Sequence, residues 1–200
     1  NLKTTPSPGP NPLFPLFADL CGRRVLVVGG GAVAQRTCEA LLEAGASVVL
    51  AAPALTPALA QWAQQGRIRH LPGEFAPAAL EEAWLAMAAT DEPVINRAVV
   101  AAADARRTWA NAVDDADASR FHVPARIIRG PLQIAISSGG GAPMLARLVR
   151  EQLETGYDDS FGALADLLTR HRQRIRERWP GMGARRRGFA RLLAGPLQAL

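Results

Sequence analysis

Short runs of aliphatic and β-branched residues alternate with longer, alanine-rich stretches over the first half of the chain. Several longer stretches begin near a proline or after a residue suited to cap a helix, such as Thr56 or Asp91. This alternation is typical of a parallel sheet with helices on its faces. It predicts strands at residues 25–28, 48–51, 68–71, 85–88 and 109–113, and helices at residues 32–44, 57–65, 77–83 and 92–106.

After residue 113 the pattern changes to short strands followed by helices. Strands are predicted at residues 121–123, 126–129 and 132–136, with a turn at Gly130 and Pro131. Helices are predicted at residues 142–155 and 161–193, the second interrupted at Pro180 and Gly181. We therefore expect an α/β chain with a Rossmann-type nucleotide-binding domain at residues 13–118, a small strand segment at 119–146 and a helical basic domain at 147–200.

Composition limits the chemistry of this chain. Its 200 residues, 48% of them apolar, suffice for one full domain with an appendage, and of its 23 basic residues only Lys3 is a lysine. A Walker loop, a Tyr-x-x-x-Lys relay beside the only tyrosine, Tyr157, and Schiff-base catalysis are thereby excluded. The two cysteines and three histidines are scattered, which predicts neither a disulfide framework nor a metal site held by protein ligands.

No targeting or membrane segment is predicted. The longest uncharged run, residues 44–66, contains prolines, glycine and glutamines, which is untypical of a membrane span. Residues 1–12 carry four prolines and no apolar stretch, so they predict a flexible lead-in rather than a secretory signal. We expect a cytoplasmic protein.

A glycine-rich motif, Gly29-Gly-Gly31-Ala-Val-Ala34, follows the first predicted strand and opens a helix. This is the context that a dinucleotide-binding G-x-G-x-x-A fingerprint requires. Gly29 permits a tight turn, Gly31 lets the backbone approach a pyrophosphate, and Ala34 keeps the helix close to the sheet. The alternative is a glycine turn in an α/β domain that binds no ligand.

The second predicted strand ends in Leu50-Ala-Ala-Pro53, without the acidic residue that often holds the ribose of NAD. Backbone groups at Pro53 and Ala54 are the alternative ribose contacts. The absence of an arginine for a 2′-phosphate favours NAD over NADP. Thr90 ends the fourth strand and is a candidate for the cofactor cleft, whereas Asp91 is equally suited to cap the next helix.

Three carboxylates, Asp114, Asp115 and Asp117, follow the fifth predicted strand at the same edge of the sheet. A general base belongs there, although acids in such a loop are also common as solvated turn residues. Ser137, Ser138 and Gly139 to Gly141 precede a helix and form a second candidate anion site, with a plain helix cap as the alternative. They do not form a nucleophile elbow, and no histidine supports a hydrolase.

The chain's formal net charge of +5 lies entirely in residues 142–200, which hold 11 basic and 6 acidic side chains. These arginines favour either a solvated helix surface or binding of a polyanion, such as a small molecule with many carboxylates. Nucleic acid is disfavoured because interleaved aromatic residues are missing. The set comprises Arg147, Arg150, Arg170, Arg172, Arg174, Arg176, Arg178, Arg185, Arg186, Arg187 and Arg191.

Six segments, in chain order, carry a more specific signal than the glycine loop alone. They are Pro15-Leu-Phe-Ala-Asp-Leu20, Val27-Val-Gly-Gly-Gly-Ala-Val-Ala34, Ala88-Ala-Thr-Asp91, Asn111-Ala-Val-Asp114, Ile136-Ser-Ser-Gly-Gly-Gly-Ala-Pro-Met-Leu-Ala-Arg147 and Met182-Gly-Ala-Arg-Arg-Arg187. Together, over residues 13–195, they resemble the N-terminal module of the siroheme synthase family. In many bacteria this module is fused to a uroporphyrinogen-III methyltransferase.

The resemblance implies a multifunctional, homodimeric enzyme of siroheme biosynthesis. We expect the strand segment at 119–146 to mediate dimerisation, and we expect the Rossmann-type domain, that segment and the helical part together to form the tetrapyrrole site. It implies an NAD-dependent oxidoreductase that converts precorrin-2 to sirohydrochlorin, and a lyase that inserts ferrous iron to give siroheme. Cobalt insertion, towards cobalamin, is closely related chemistry. A regulatory module that binds NAD and uses its basic tail to bind a partner is the alternative function.

Site residues follow from the same resemblance. It implies cofactor contacts at Ala32 and Val33 and at Pro53 and Ala54, and an acid/base role in both reactions for Asp114. Ser138 falls on a serine that can be phosphorylated, which would oppose an anionic substrate. The chain departs from the family at Ala112 and residues 115–117, where the family commonly reads Val-Val-Asp-x-Pro.

Overall fold

The computed structural model describes residues 13–193, and side chains as far as Arg191. The predicted lead-in at residues 1–12 lies outside that range. The chain divides after Val123 into two compact units. The first contains a five-stranded parallel sheet in the order β3-β2-β1-β4-β5, formed by β1 (Arg24–Val28), β2 (Ser47–Ala52), β3 (Arg69–Pro72), β4 (Leu85–Ala88) and β5 (Trp109–Ala112).

Helices cover both faces of this sheet, as the sequence predicts. They are α1 (Ala32–Glu43), α2 (Pro57–Gln64) and α3 (Pro93–Asp104). Alternate residues of a strand point to opposite faces, so Leu26 of β1 packs in the same cluster as Val99 of α3, and Val27 in the cluster that includes Cys38 of α1. Burying each such side chain contributes roughly 1.5–3 kcal/mol, which explains why residues 25–28 of the central strand are all apolar.

Of the two predicted helix caps, Thr56 and Asp91, the structure contains one. The Thr56 hydroxyl accepts a hydrogen bond from the backbone N–H of Leu59 at 3.3 Å and caps α2, as predicted. Asp91 does not cap α3, because the N-cap residue is Glu92 and no side chain caps the helix. The hydroxyl of Thr90 instead accepts from the backbone N–H of Glu92 at 3.2 Å.

Two other predictions in this unit are wrong. Residues 77–83 form no full helix but a 3₁₀ turn at Pro77–Leu80. Residues 121–123 form no strand. The carbonyl of Phe121 accepts a side-chain hydrogen bond from Asn111 at 2.9 Å, and its ring packs against the core. The remaining strand and helix boundaries in this unit differ from the predicted ones by no more than two residues.

The second unit begins with an antiparallel hairpin of β6 (Ala125–Arg129) and β7 (Leu132–Ile136) around Gly130, as predicted. Four helices follow, α4 (Pro143–Gly156), α5 (Asp159–Arg170), α6 (Arg172–Arg178) and α7 (Met182–Leu193). The predicted helical stretch at 161–193 is therefore interrupted at His171 as well as at Pro180 and Gly181. Strand β6 contacts α4 and α5. Within residues 13–193, no helix combines the length and the apolar character needed to cross a membrane.

Candidate active site

The strand order reverses beside β1, which has β2 on one side and β4 on the other. Open α/β sheets bind ligands at the carboxyl ends of the strands where the order reverses. The loop of Gly29 to Gly31 follows β1 at this point, and Ala89 and Thr90 follow β4. The predicted cofactor residues of the first unit therefore lie at the position that the fold favours for a ligand.

The three glycines of the loop have different surroundings. Gly29 has φ +122°, and a Cβ atom there would lie 2.3 Å from the carbonyl oxygen of Ala89. A Cβ atom on Gly30 would lie 1.8 Å from the carbonyl oxygen of Ala54. A Cβ atom on Gly31 would have no other atom within 4 Å. Gly31 is the N-cap residue of α1, and no side chain caps this helix. Gly29 and Gly30 are thus needed for packing, whereas the open backbone at Gly31 is available to a ligand.

The first turn of α1 fits the pyrophosphate of a dinucleotide. Backbone N–H groups at a helix N-terminus lack partners within the helix and carry partial positive charge. Ala32 and Val33 supply such groups next to the open face of Gly31, and no acidic side chain lies in that turn. Ala34 is fully buried in the cluster between α1 and the sheet, which keeps the helix close to the strands.

The loop after β2 is attached directly to the glycine loop. The backbone N–H of Thr56 donates to the carbonyl of Gly30 at 3.0 Å, and its hydroxyl donates to the side-chain oxygen of Gln35 at 2.7 Å. Pro53 and Ala54, the predicted ribose contacts, are exposed just before Thr56. Their backbone is therefore held in a fixed position beside the glycine loop.

Thr90 is held by a buried asparagine that the sequence did not reveal. Asn96, 6% exposed, accepts from the backbone N–H of Thr90 at 3.1 Å and from its hydroxyl at 2.8 Å, and donates to its carbonyl at 2.9 Å. The hydrogen of the Thr90 hydroxyl is therefore directed into the protein. Thr90 shapes the wall of the candidate cleft, and its contact with a cofactor stays a prediction.

Asn96→Ala is expected to lower the free energy of unfolding by about 2–3 kcal/mol, because it leaves the Thr90 N–H and carbonyl without partners. NAD binding should weaken with it, since the loop after β4 loses its attachment. Thr90→Val is the matched control, because it removes only the hydroxyl and keeps both backbone bonds to Asn96. Urea unfolding and NAD titration measure both effects, and an Asn96→Ala protein as stable as the wild type would show that the loop needs no such attachment.

The three carboxylates after β5 are not equivalent. Asp115 accepts from Nε of Arg97 at 2.9 Å and from the backbone N–H of Ala118 at 3.1 Å, and these bonds hold the pKa of its carboxyl below the ordinary value. Asp114 is exposed, has φ +63°, and its carboxylate has no hydrogen-bond partner within the described residues. A left-handed residue other than glycine costs on the order of 1–3 kcal/mol, and such residues cluster at functional sites. The geometry therefore favours Asp114 over Asp115 as a general base.

The serine–glycine loop lies in the second unit. Gly139 and Gly140 have φ +66° and +84°, the Ser137 hydroxyl accepts from the N–H of Gly139 at 3.1 Å, and the Ser138 hydroxyl accepts from the N–H of Ala142 at 3.2 Å. Neither serine caps the first helical turn of α4, whose N-cap Ala142 has no side-chain cap. Binding of an anion by this loop and phosphorylation of Ser138 stay predictions.

Some of the arginines predicted to bind a polyanion are engaged within the second unit. Arg147 pairs with Glu151 at 2.9 Å, and Arg150 pairs with Glu154. Both pairs join residues four apart on α4, so these two arginines are not available as single free charges. Within the described residues, no ion pair is formed by the arginines of α5 to α7 in that set.

Burial raises the pKa of the Cys38 thiol to about 12. This thiol is therefore protonated near neutral pH and is a structural residue of the core rather than a nucleophile.

Comparison with known proteins covers nearly the whole chain. Residues 16–125 match the family model described as putative NAD(P)-binding, residues 129–155 that of the sirohaem biosynthesis protein central region, and residues 160–200 that of the sirohaem synthase dimerisation region. The first match confirms the predicted dinucleotide cofactor at the level of an NAD(P)-binding domain. The family model of the dimerisation region matches residues 160–200. The strand segment at 119–146, with which we associated dimerisation, lies before that match.

Curated relatives are similar over most of the chain. A siroheme synthase of Xylella fastidiosa (strain M12) is 54% identical over 191 residues, 95% of this chain and 40% of the relative. A siroheme synthase of Chromobacterium violaceum is 48% identical over 184 residues, 92% of this chain and 39% of the relative. The chain thus spans about two fifths of the length of these relatives.

A solved structure of SirC, precorrin-2 dehydrogenase, has the same fold. The TM-score is 0.77 at 24% sequence identity, with 94% of this chain and 93% of the other covered. The predicted fold class, a Rossmann-type sheet followed by a strand segment and helices, is confirmed.

Proposed function

The chain belongs to the family of the siroheme synthase N-terminal module, and we propose that it is an NAD-dependent precorrin-2 dehydrogenase that forms sirohydrochlorin. The observation that carries this proposal is the order of the three family models along one chain. An NAD(P)-binding domain is followed directly by two regions specific to sirohaem biosynthesis. A dinucleotide-binding domain alone would not identify the substrate.

The oxidation removes two hydrogens from precorrin-2, and NAD, when bound, accepts one of them as hydride. The other leaves as a proton, and the carboxylate of Asp114 accepts it. Gly31, Ala32 and Val33 bind the pyrophosphate with backbone N–H groups. The backbone at Pro53 and Ala54 holds the ribose. No arginine follows β2 to pair with a 2′-phosphate, which favours NAD over NADP.

The substrate is an anion with several carboxylates. We assign its recognition to Ser137, Ser138 and Gly139 and to the unpaired arginines of α5 to α7, which supply hydrogen-bond donors and positive charge. The dimerisation region at residues 160–200 supports a homodimer.

Metal insertion and the location in the cell stay predictions. Ferrous iron insertion into sirohydrochlorin, with Asp114 again accepting protons, stays a prediction because the comparisons name a synthase and a dehydrogenase but no chelatase. Cobalt insertion and a cytoplasmic location have the same status. The alternative of an NAD-responsive regulatory module is not favoured, since no comparison points to it.

Anaerobic incubation of the protein with NAD and precorrin-2 tests the dehydrogenase. We expect one NADH for each sirohydrochlorin formed, and slower turnover with NADP in place of NAD. A later addition of ferrous iron should change the sirohydrochlorin spectrum if the second activity is present. NAD binding without NADH formation would reject the dehydrogenase and support a binding module.

A further inference from the structure

The turn of residues 112–115, here called the Asp114 turn, connects β5 to the following loop. The backbone N–H of Asp115 donates to the carbonyl of Ala112 at 3.1 Å, and Asp114 occupies the second central position with φ +63°. Glycine, asparagine and aspartate are the residues that adopt positive φ most readily at such a turn position. A neighbouring group that bonds to both ends of the turn would hold Asp114 in this one conformation.

Ser119 supplies that group. Its hydroxyl oxygen accepts from the backbone N–H of Ala112 at 3.0 Å and from the side-chain amide of Asn111 at 3.3 Å. The same hydroxyl donates to the carbonyl of Asp115, 2.7 Å from its oxygen, and the carbonyl of Ala112 lies 3.1 Å from it as a second, longer acceptor. A hydroxyl has one donor and two acceptor sites. The donor and one acceptor are therefore used at the two ends of the turn, and the second acceptor is used by Asn111.

Two neighbours fix Ser119 and the far end of the turn. Asn111 is buried, and its amide also donates to the carbonyl of Phe121 at 2.9 Å. The Asp115 carboxylate is bound to Arg97 and to the N–H of Ala118. Side-chain hydrogen bonds therefore hold both ends of the turn.

We propose that Ser119 is a positioning residue that holds the Asp114 turn, and hence the Asp114 carboxylate, in one conformation at the carboxyl edge of the sheet. This inference rests on the proposed function, in which that carboxylate accepts the proton from precorrin-2. Ser119 does not touch the substrate. It acts on turnover through the position of Asp114, and Asn111 and the Arg97–Asp115 pair support it.

Ser119→Ala tests this role. We expect kcat for precorrin-2 oxidation to fall about tenfold, because a carboxylate that moves among conformations is less often in reacting geometry, while the KM for NAD stays within about twofold. The matched control is Thr108→Val. The Thr108 hydroxyl donates to the carbonyl of Ala83 at 3.3 Å at the amino edge of the same sheet, so its loss should affect stability without affecting kcat.

A double variant separates positioning from a general loss of structure. In the Asp114→Asn background, Ser119→Ala should cause no further fall in kcat, because the group that it positions is already removed. Equal kcat for Ser119→Ala and wild type, or an additive loss in the double variant, would overturn the proposal.

Arg97→Gln keeps the proposal testable if Ser119→Ala fails to fold. The Arg97 side chain is 70% exposed, so its replacement leaves the core intact, and we expect about a threefold fall in kcat. An unchanged kcat in that variant would count against the positioning role. If Asp114→Asn itself retains full turnover, the proposed base is wrong instead, and the two failures are distinguished.

Discussion

Asp114→Asn is expected to lower kcat for precorrin-2 oxidation by about 100-fold, because general acid–base catalysis contributes roughly 10²–10⁴-fold. Asparagine has nearly the same shape and adopts positive φ readily, so the Asp114 turn should remain folded. NAD affinity should stay within about twofold of the wild type, since the cofactor contacts follow other strands. Initial rates of NADH formation and an NAD titration measure the two effects.

Asp117→Asn is the matched control for that substitution. Asp117 carries the same charge three residues further on and is exposed, with no hydrogen-bond partner within the described residues. We expect its replacement to leave kcat unchanged. Full turnover in Asp114→Asn, or an equal loss in both variants, would remove Asp114 from the mechanism.

Gly30→Ala is expected to destabilise the first unit by about 3 kcal/mol, the upper part of the usual range for overpacking. The added Cβ would lie 1.8 Å from the carbonyl oxygen of Ala54, and backbone atoms cannot move away as a flexible side chain can. The hydrogen bond between Thr56 N–H and the Gly30 carbonyl further limits relaxation. Denaturant unfolding measures the loss.

Gly31→Ala, at the next position, should behave in the opposite way. Its Cβ meets nothing within 4 Å, and Gly31 has φ −85°, so the fold should be retained. The methyl group would occupy the space through which a pyrophosphate approaches, and we expect the Kd for NAD to rise about tenfold or more. Unchanged NAD affinity in Gly31→Ala would mean that the cofactor does not bind against this backbone.

The strands and the glycine loop could be predicted because each has a strong local pattern. Apolar runs between capped helices predict the parallel sheet, and a glycine fingerprint after a strand predicts the place of the dinucleotide. Residues 121–123 show where this fails. Phe121 and Val123 alternate with a polar residue, which is typical of a strand, but within the described residues they pair with no strand. The carbonyl of Phe121 accepts from the side-chain amide of Asn111 instead.

Other parts of the site have no local signal. Gly30 stands at a variable position of the fingerprint. Only glycine fits there because the carbonyl of Ala54, which is distant in sequence, leaves no space for a side chain. Asn96 is a polar residue among the buried positions of a mostly apolar helix, and only its contacts with Thr90 reveal its role. Spacing alone makes Asp114 and Asp115 equivalent, whereas the bonds from Arg97 and Ala118 distinguish them.

Both loops that carry candidate site residues after β4 and β5 are attached by a buried asparagine, Asn96 and Asn111 respectively. A buried amide that makes two or three hydrogen bonds to a loop is costly to disturb, so it gives the loop one preferred conformation. The site therefore depends on groups outside the cleft as well as on the residues that face it.

A crystal structure of the protein with NAD and sirohydrochlorin bound tests the central claim most directly. We expect the pyrophosphate to lie against Gly31, Ala32 and Val33. The nicotinamide ring and the macrocycle should lie side by side, with the Asp114 carboxylate within hydrogen-bonding distance of the macrocycle. A macrocycle bound far from Asp114, with the dinucleotide still on the glycine loop, would contradict it.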